Sequence, residues 1–547
     1  MSVDAAAVTN AEAAQYRAAG WWSDTTLSDC VRRNAGSSPD KPAYLDFSLN
    51  PPDRVLTWSE FDHAATNLAK QLQGLGVAPG DGVAVWHHDG SAIHVLLVAI
   101  ERCGAVAVGL GARAGVREVA QILRTAQPSL MVSDVARRSQ ATQAAADAAM
   151  VPPQRVVVYG DGSDDLFVDT TPRRDAWAGL SPVGPDDVFL INSTSGTTGM
   201  PKCVVHTQNR WYYFHQKAVA NGELTAEDVF IPVIPTPFGF GIWTSHTTPI
   251  YLGATTVRIE RFDPEATCAA IARHRATVLC CVSTQLAMIL ASPASRDHDL
   301  TSLRVVFTGG EPLPYTQAAQ FEELTGVKIL QFYGSNETGM LSATTVADTL
   351  HRRLRSAGRT VPEMRVRLFD GDRDVTESGS GQPVCRGPAT SLGYLYGTDH
   401  DKLFTEDGWM RMGDICELDA EGYLSLTGRT SDFILRGGKN ISAVAAEEVV
   451  ATHPAVAVAA AVAMPDPLFG ERVCVFVELK HAATLDLPTL VEHLLRLGVS
   501  KELLPERLEV LDELPRSSGG KIAKGQLRED IRSTLEATLE IRQEQRS

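Results

Sequence analysis

Hydrophobic and polar positions along the chain alternate between two periods. Over residues 56–76, apolar side chains recur at helical spacing, and the segment ends at a glycine, which commonly stops a helix. Residues 82–88 follow as a short apolar run that is typical of a buried strand. The same order of segments recurs at 93–110, 267–282 and 318–334. This strand–helix–strand order predicts α/β layers built on parallel sheets.

The pattern changes near residue 428, which predicts a second, smaller domain. Beyond it come a strand, a Gly-Gly turn, a helix from about Ala445, further strands and a charged helical tail. We therefore predict a large N-terminal domain over residues 1–428, a hinge at 429–432 and a mobile α+β C-terminal domain over 433–547. The connection is short, which is typical of a hinge rather than a flexible tether.

Composition excludes several classes of protein. The chain has 547 residues, of which 44% are hydrophobic and 21% are charged, so it can bury large cores. A formal net charge of -16 argues against a nucleic acid or an anionic membrane as partner. The nine cysteines form no CxxC pair, which argues against a disulfide framework or a zinc site. Because we find neither a secretory leader nor an apolar run that could span a bilayer, we expect a cytoplasmic protein.

The segment 192–202, with the sequence NSTSGTTGMPK, is the strongest chemical signal. Glycines let a backbone wrap a polyphosphate and aim N–H groups at it, while hydroxyl groups and a lysine add donors and positive charge. A proline precedes the lysine, so this is not the GxxxxGK[ST] loop, and the buried strand in front of it argues against a flexible linker. The residues expected to bind phosphate are Thr194, Ser195, Gly196, Thr197, Thr198, Gly199 and Lys202.

This loop resembles the signature loop of the adenylate-forming superfamily, which includes acyl-CoA synthetases, adenylation domains of peptide synthetases and beetle luciferases. The resemblance extends from about residue 27 to residue 527, nearly the whole chain. It implies a ligase that uses ATP and Mg²⁺ to join a small carboxylic acid to AMP. It further implies that the enzyme then passes the acyl group to the thiol of coenzyme A.

Two parts of the sequence resemble the segments that bind adenosine in this family. Residues 307–314 resemble the adenine-binding turn, in which the backbone makes the contacts. Asp414 and Arg429 match the pair that binds the ribose hydroxyl groups. A surface salt bridge is a common alternative for any one such residue, but their joint spacing argues against it. The adenine contacts are assigned by this resemblance to Gly310, Glu311 and Pro312.

The segment 333–339, YGSNETG, resembles the motif in which a tyrosine lies near the adenine and a glutamate binds Mg²⁺. The metal ligand would be Glu337, and one carboxylate suffices because Mg²⁺ also takes phosphate oxygens. The family usually has threonine at the position of Asn336, whose amide can still donate a hydrogen bond. The nucleotide-binding residues implied here are Tyr333, Gly334, Ser335 and Asn336.

The predicted C-terminal domain carries matches for two different steps. Lys521 lies in a Gly-rich loop and matches the lysine that reaches the carboxylate and the α-phosphate, where it would stabilise transition-state charge. Gly437, Gly438 and Lys439 match the loop that admits the pantetheine arm of coenzyme A. Asp432 matches the hinge residue about which the domain rotates between the steps.

Residues 236–245 align with the segment that closes over the acid. Phe238 takes the place of a residue that gates the carboxylate. Gly239 stands where amino-acid-activating relatives carry an aspartate for the α-ammonium group, and burying that cation without a counter-charge would be costly. We therefore expect an acid without an α-amino group. Its apolar body is expected to contact Phe240, Ile242 and Trp243.

Three other features are expected to be structural. Residues 109–115 follow a strand, but their last glycine comes one residue late for a GxGxxG loop. His206 and His246 have no partner at metal-binding spacing. Cys203 has no base in view, so we expect it to pack rather than react.

The sequence leaves alternative functions open. The acyl acceptor is CoA or, alternatively, a carrier protein acting in trans. An enzyme limited to one half-reaction stays open because Cys203, Asn336 and Ser431 depart from the family pattern. A non-catalytic nucleotide-binding protein is disfavoured because the matched acidic and basic positions are retained together. A luciferase-like oxygenase would rest on fold analogy alone.

Overall fold

The computed structural model describes residues 8–149, 156–159, 179–194, 202–395, 402–429, 433–436, 439–466, 470–497, 499–501, 503–516 and 521–544. The helices are Asn10–Ala18 (α1), Leu27–Ser37 (α2), Trp58–Gly74 (α3), Ser91–Arg102 (α4), Val116–Ala126 (α5), Arg138–Ala148 (α6), Gln208–Gly222 (α7), Gly239–Ile242 (α8), Thr248–Leu252 (α9), Pro264–His274 (α10), Ser283–Ala291 (α11), Ala294–Asp297 (α12), Tyr315–Thr325 (α13), Leu350–Arg355 (α14), Ala443–Val450 (α15), Leu487–Arg496 (α16) and Lys524–Glu544 (α17). A π-helical turn covers Trp243–Thr247, and 3-10 turns cover Pro362–Met364 and Thr376–Ser378.

The strands are Pro42–Asp46 (β1), Arg54–Thr57 (β2), Gly82–Trp86 (β3), Val106–Gly109 (β4), Leu130–Ser133 (β5), Val156–Val158 (β6), Val188–Thr194 (β7), Lys202–Thr207 (β8), Val229–Pro232 (β9), Thr255–Arg258 (β10), Val278–Cys280 (β11), Val305–Gly309 (β12), Lys328–Ser335 (β13), Gly339–Ala343 (β14), Arg359–Thr360 (β15), Arg367–Asp370 (β16), Arg373–Asp374 (β17), Ser380–Cys385 (β18), Met410–Arg411 (β19), Asp414–Leu418 (β20), Leu424–Arg429 (β21), Phe433–Arg436 (β22), Lys439–Ser442 (β23), Val456–Asp466 (β24), Gly470–Leu479 (β25) and Arg507–Val510 (β26).

Two mainly parallel sheets form most of the described chain, which confirms the predicted α/β class. One has the order β15-β14-β13-β12-β11-β9-β10-β1-β2 and is parallel from β13 to β1. The other has the order β6-β5-β3-β4-β7-β8 and is parallel except for the β7–β8 hairpin. Strands such as β3 and β4 are buried throughout, as expected for parallel sheets covered by helices.

An antiparallel sheet follows, in the order β17-β16-β18-β20-β21, with β19 paired to β18. The last sheet has the order β23-β22-β25-β24, and β26 adds to β25 in parallel. One face of this last sheet packs on α15 and α16, and the other face packs on α17 through Leu527 and Ile531. These clusters contain only residues after the predicted hinge. The domain boundary itself stays a prediction, because residues 430–432 lie outside the described ranges.

Two segments differ in detail from the sequence expectation. The predicted helical segment 56–76 begins as the end of β2, and α3 starts only at Trp58, after a capping box of Thr57 and Glu60. The Ala-rich sequence of residues 141–150 is typical of a surface helix, yet alanines at 141, 144, 145 and 148 of α6 are buried on one face. Small side chains let that face pack closely, so composition alone underestimated its burial. Among the described residues, no helix combines the length and apolar character needed to cross a bilayer.

Candidate active site

The carboxyl ends of β12 and β13 bring two predicted nucleotide-binding turns side by side. The strands pair in parallel, with Gly309 opposite Phe332. A β-carbon on Gly309 would lie 2.6 Å from the carbonyl oxygen of Phe332, so the close approach requires glycine. Gly310 follows with a φ of +80°, which glycine adopts without strain. The site therefore lies at the sheet edge where open α/β folds bind ligands.

The Glu311 side chain caps helix α11. Its Oε2 accepts hydrogen bonds from Ser283 Oγ at 3.0 Å, from Thr284 Oγ1 at 2.8 Å and from the Thr284 backbone N–H at 3.2 Å. A carboxylate at the first turn of a helix also interacts favourably with the helix dipole. The Glu311 carboxylate is thus bonded to the helix. A nucleotide at this turn would therefore contact the backbone of the turn, as the resemblance implies.

Tyr333 and Asp414 connect the predicted adenine and ribose positions. The Tyr333 hydroxyl group donates to Oδ2 of Asp414 at 2.8 Å, and both residues are buried. Burial and the Asp414 charge raise the pKa of Tyr333 well above its ordinary value, so the hydroxyl group remains a donor. Asp414 pairs with Arg429 across β20 and β21, which places the two predicted ribose-binding residues opposite each other.

Glu337 and Lys202 face the same tyrosine. Oε1 of Glu337 accepts a hydrogen bond from the Tyr394 hydroxyl group at 2.7 Å. The Lys202 ammonium group lies 5.1 Å from the centroid of the Tyr394 ring. A carboxylate oxygen beside a lysine that attracts phosphate fits Mg²⁺, which prefers few carboxylates together with phosphate oxygens. Glu337 is the residue that would hold this ion, which would neutralise phosphate charge.

Lys521 reaches the predicted adenine-binding turn from the C-terminal part of the chain. Its Nζ lies 3.0 Å from the position that a β-carbon on Gly310 would take, and the residue is exposed. A bulkier residue at position 310 would therefore displace the lysine. The structure thus brings the predicted catalytic lysine to the sheet edge that carries the predicted nucleotide-binding turns.

Trp243 lies at the centre of an aromatic cluster. Its ring centroid lies 4.8 Å from those of Phe214 and Phe332, 5.3 Å from that of Phe307 and 5.6 Å from that of Phe240. Phe214, Phe307 and Phe332 could not be assigned to this cluster from the sequence. They come from α7, β12 and β13, and only the fold brings them together. Ile242 is also buried, whereas Phe238 and Phe240 are half-buried.

A π-helical turn interrupts the helix that carries Trp243. The backbone is π-helical from Trp243 to Thr247 and returns to an α-helix at Thr248. Pro249 offers no N–H to the carbonyl group of Ser245, and that carbonyl group instead accepts a hydrogen bond from the Tyr44 hydroxyl group at 3.1 Å. Such turns occur frequently at functional sites.

Asn336 occupies the space beside Gly239. A β-carbon on Gly239 would lie 2.5 Å from Oδ1 of Asn336, and one on Gly241 would overlap the carbonyl oxygen of Pro235. The Asn336 amide nitrogen donates to Oδ1 of Asn192 at 2.6 Å. Position 239 is therefore closed to side chains while Asn336 holds this orientation.

Arg210 and His206 lie beneath this asparagine pair. Nε2 of His206 is 2.7 Å from Oδ1 of Asn192, and Nη1 of Arg210 contacts Nδ1 of His206. Burial, and then the nearby Arg210 charge, lower the pKa of His206 well below its ordinary value, so the imidazole is neutral. His206 was expected to be structural, and Arg210 was missed because an isolated arginine after a strand carries no motif.

The other residues expected to be structural are buried or closely packed. The Nδ1 atoms of His246 and His94 lie 3.1 Å apart in the core. Burial raises the pKa of the Cys203 thiol to about 12, so it stays protonated at neutral pH. A β-carbon on Gly109, in the rejected glycine loop, would lie 2.9 Å from Cβ of Pro237, so this glycine allows close packing against the acid-binding segment.

Several predicted positions are placed only in part. Thr194 pairs with Lys202 at the end of the β7–β8 hairpin, and Lys439 pairs with Arg436. Gly334 and Ser335 complete β13 before the Asn336 turn. The predicted residues outside the described ranges are Ser195, Gly196, Thr197, Thr198, Gly199, Asp432, Gly437 and Gly438. Their roles, like those of the residues above, stay predictions.

Profiles of known families match both parts of the chain. The AMP-binding enzyme profile matches residues 31–395, and the profile of the AMP-binding enzyme C-terminal domain matches residues 445–521. The chain belongs to the AMP-binding enzyme family. This confirms the predicted membership of the adenylate-forming superfamily.

Relatives of this AMP-binding enzyme cover nearly its whole length. It is 30% identical to a medium-chain fatty-acid–CoA ligase of Escherichia coli over 541 residues, which cover 95% of this chain and 93% of the relative. It is 32% identical to a salicyl-AMP ligase / salicyl-S-ArCP synthetase of Mycobacterium tuberculosis over 532 residues, which cover 94% of this chain and 92% of the relative. The crystal structure of an anthranilate CoA ligase with anthranoyl-AMP has the same fold, with a TM-score of 0.83 at 24% identity, covering 94% of this chain and 98% of that chain. As an AMP-binding enzyme, the chain is an adenylate-forming acid ligase.

Proposed function

We propose that this enzyme is an acid–thiol ligase that converts an apolar carboxylic acid without an α-amino group, first to acyl-AMP and then to acyl-CoA. The observation that carries the proposal is the position of the Lys521 ammonium group at the Gly310 turn. There the ammonium group meets the end of the large parallel sheet, near Tyr333, which contacts Asp414 through its hydroxyl group, and Glu337, which follows β13. Nucleotide and acid groups would share one site at this edge.

In the first step the acid carboxylate attacks the α-phosphorus of ATP, and pyrophosphate leaves. Negative charge develops on the phosphoryl oxygens and on the departing pyrophosphate, so fixed cations at the site lower the barrier. Lys521 would contribute at the acid and the α-phosphate, and Lys202 at the departing phosphates. Asp414 would hold the ribose, which fixes the α-phosphorus relative to the acid.

In the second step a thiol attacks the acyl carbonyl carbon, and AMP leaves with the bonding electron pair. The loop with Gly437, Gly438 and Lys439 is proposed to admit the thiol after the C-terminal domain has rotated about Asp432. This rotation would also withdraw Lys521 from the site, because its proposed role is confined to the formation of acyl-AMP.

The acid is proposed to be apolar and cyclic or aromatic. Trp243 and Phe240 stack at 5.6 Å, and an aromatic wall of this kind favours flat apolar groups. The nearby Asp89 accepts a hydrogen bond from the Thr236 backbone N–H, but Arg258 neutralises it at 2.9 Å. An α-ammonium group would thus lack a counter-charge both at Gly239 and at Asp89.

A carrier protein is the second candidate for the acyl acceptor. The Mycobacterium tuberculosis relative is named as a salicyl-AMP ligase and a salicyl-S-ArCP synthetase, whereas the Escherichia coli relative is named as a CoA ligase. Both have similar identity to this chain, so similarity does not separate the two acceptors. The predicted Gly-Gly loop suits the pantetheine arm of either acceptor, so we propose CoA first and separate the two acceptors by experiment.

The test is mass spectrometry of the products formed from aliphatic, alicyclic and aryl acids and from α-amino acids, with ATP and Mg²⁺. Each acid is run with CoA, with a phosphopantetheinylated aryl carrier protein, and with neither. We expect acyl-AMP without a thiol and acyl-CoA with CoA. Preferred activation of an α-amino acid would overturn the acid class, and loading of the carrier alone would overturn the acceptor. Thioester formed only from supplied acyl-AMP would mean that the enzyme performs the second half-reaction alone.

A further inference from the structure

Four polar side chains form a hydrogen-bonded chain that ends at the Asn336 turn, and three of them are buried and have no role in the reaction proposed above. They follow one another from Arg210 on α7 through His206 on β8 and Asn192 on β7 to Asn336 after β13. Arg210 is 1% exposed, His206 0% and Asn192 1%. Burying a guanidinium group is costly, and its Nη2 has no hydrogen-bond partner in the described part of the structure.

The arginine fixes the direction of every hydrogen bond in this polar chain. A guanidinium group only donates, so Nδ1 of His206 must accept from Nη1 of Arg210. A neutral imidazole that accepts at Nδ1 carries its proton on Nε2, and this proton is donated to Oδ1 of Asn192. The same Oδ1 accepts from Nδ2 of Asn336 at 2.6 Å.

Two backbone carbonyl groups agree with this assignment, because they can only accept. The Pro237 carbonyl group accepts from Nδ2 of Asn192 at 2.8 Å. The Asn336 carbonyl group accepts from Nη1 of Arg210 at 2.8 Å. Oδ1 of Asn336 accepts a second, longer hydrogen bond from Nδ2 of Asn192 at 3.3 Å. It also lies beside Gly239 in the predicted acid-binding segment, where a β-carbon would lie 2.5 Å from it.

We propose that Arg210 and His206 are positioning residues, which act through Asn192 to hold the Asn336 amide with its nitrogen on Oδ1 of Asn192 and its oxygen beside Gly239, toward the acid. This inference rests on the proposed function, because Asn336 affects catalysis only if its turn adjoins the acid and the α-phosphate. An inverted amide would place a donor where the structure presents an acceptor. Such an inversion would change how the bound acid is oriented for attack.

The first test replaces His206 by phenylalanine, which keeps an aromatic ring but removes both hydrogen bonds. ATP–pyrophosphate exchange is measured with the acid that the wild-type enzyme activates best. We expect kcat to fall at least about tenfold while KM for ATP changes less than about threefold, because the lost interaction orients rather than binds. Arg210→Lys keeps a hydrogen-bond donor, so we expect its kcat to fall less than that of Arg210→Met.

A double-mutant cycle separates positioning from general damage. The variant Asn336→Thr has no amide to orient, so adding His206→Phe to it should cost less than about threefold, whereas independent effects would multiply. Thermal unfolding of each variant monitors folding. A His206→Phe variant that is folded and as active as wild type, or a loss that is the same in both backgrounds, overturns the positioning role. Absence of exchange in the wild-type enzyme with every acid would instead overturn the proposed function.

Discussion

The Tyr333 hydroxyl group donates a hydrogen bond of 2.8 Å to Oδ2 of Asp414. This bond joins the end of β13 in the large parallel sheet to the start of β20 in the antiparallel sheet. Two residues that are 81 positions apart in sequence thus connect the predicted adenine position with the predicted ribose position. We therefore expect a change at Asp414 to affect both predicted contacts.

Replacing Asp414 by asparagine tests the ribose assignment. We expect KM for ATP to rise about tenfold, since hydrogen bonds to a charged group contribute about 1.5–3 kcal/mol. ATP–pyrophosphate exchange with ATP and with 2′-deoxy-ATP provides the measurement. The variant should discriminate less between the two nucleotides than the wild-type enzyme does, and unchanged discrimination would argue that Asp414 supports Tyr333 rather than the ribose.

Lys521→Ala should separate the two half-reactions. We expect formation of acyl-AMP to slow by about 10²–10³-fold, the scale of losing one group that stabilises transition-state charge. Thioester formation from supplied acyl-AMP should stay within about threefold of wild type, because the lysine then has no developing charge to stabilise. Lys524→Ala is the matched control, since Lys524 lies on the same part of the chain but pairs with Glu447 at 2.6 Å. An equal loss in both lysine variants would contradict the assignment.

Gly239→Ala should impair adenylation by steric conflict with Asn336. The added β-carbon would lie 2.5 Å from Oδ1 of Asn336, which is too close without displacement of the amide. We expect exchange activity to fall at least about tenfold, on the scale at which misplaced groups reduce catalysis. Asn336→Ala in the same chain removes the conflict, so the double variant should be no slower than Asn336→Ala alone. If Gly239→Ala is as active as wild type, the amide is not held in place.

Glu101 should make the enzyme less stable as the pH rises from about 4.5 to about 7. Burial raises the pKa of Glu101 from 4.5 to about 7, although its Oε1 accepts a hydrogen bond from the Ser28 backbone N–H at 3.0 Å. The folded state therefore holds a proton that the unfolded state releases, so this contribution is complete below about pH 4.5 and is lost as the pH rises through about 7. The loss is about 3 kcal/mol.

Urea unfolding of the wild-type enzyme and of Glu101→Gln, followed across this pH range, checks the effect. Glutamine keeps an accepting oxygen but does not titrate, so its stability should vary less with pH, and the two proteins should differ most at high pH. Parallel stability curves would show that another group causes the dependence.

Local sequence was sufficient for the parts of this protein that depend on neighbours in the chain. The spacing of hydrophobic residues predicted α4, β3, β4 and β13, because each of these elements needs only apolar side chains at the right spacing to form a buried face. The Thr57 and Glu60 capping box likewise starts α3 from adjacent residues. The Ser/Thr/Gly-rich loop before Lys202 and the YGSNETG motif were enough to indicate the family, since their chemistry is encoded in consecutive residues.

Only the tertiary structure decided which distant side chains meet. Phe214, Phe307 and Phe332 surround Trp243 because three separate elements converge, and each looks like an ordinary core residue in its own segment. The role proposed for Arg210 arises only because the fold buries it below Asn336. There its hydrogen bonds reach residues that are distant in the sequence. The sequence by itself determined the fold class and the family, since these follow from local period and contiguous motifs. The orientation of the Asn336 amide and the arrangement of the aromatic cluster around Trp243 follow from long-range packing, which no local pattern encodes.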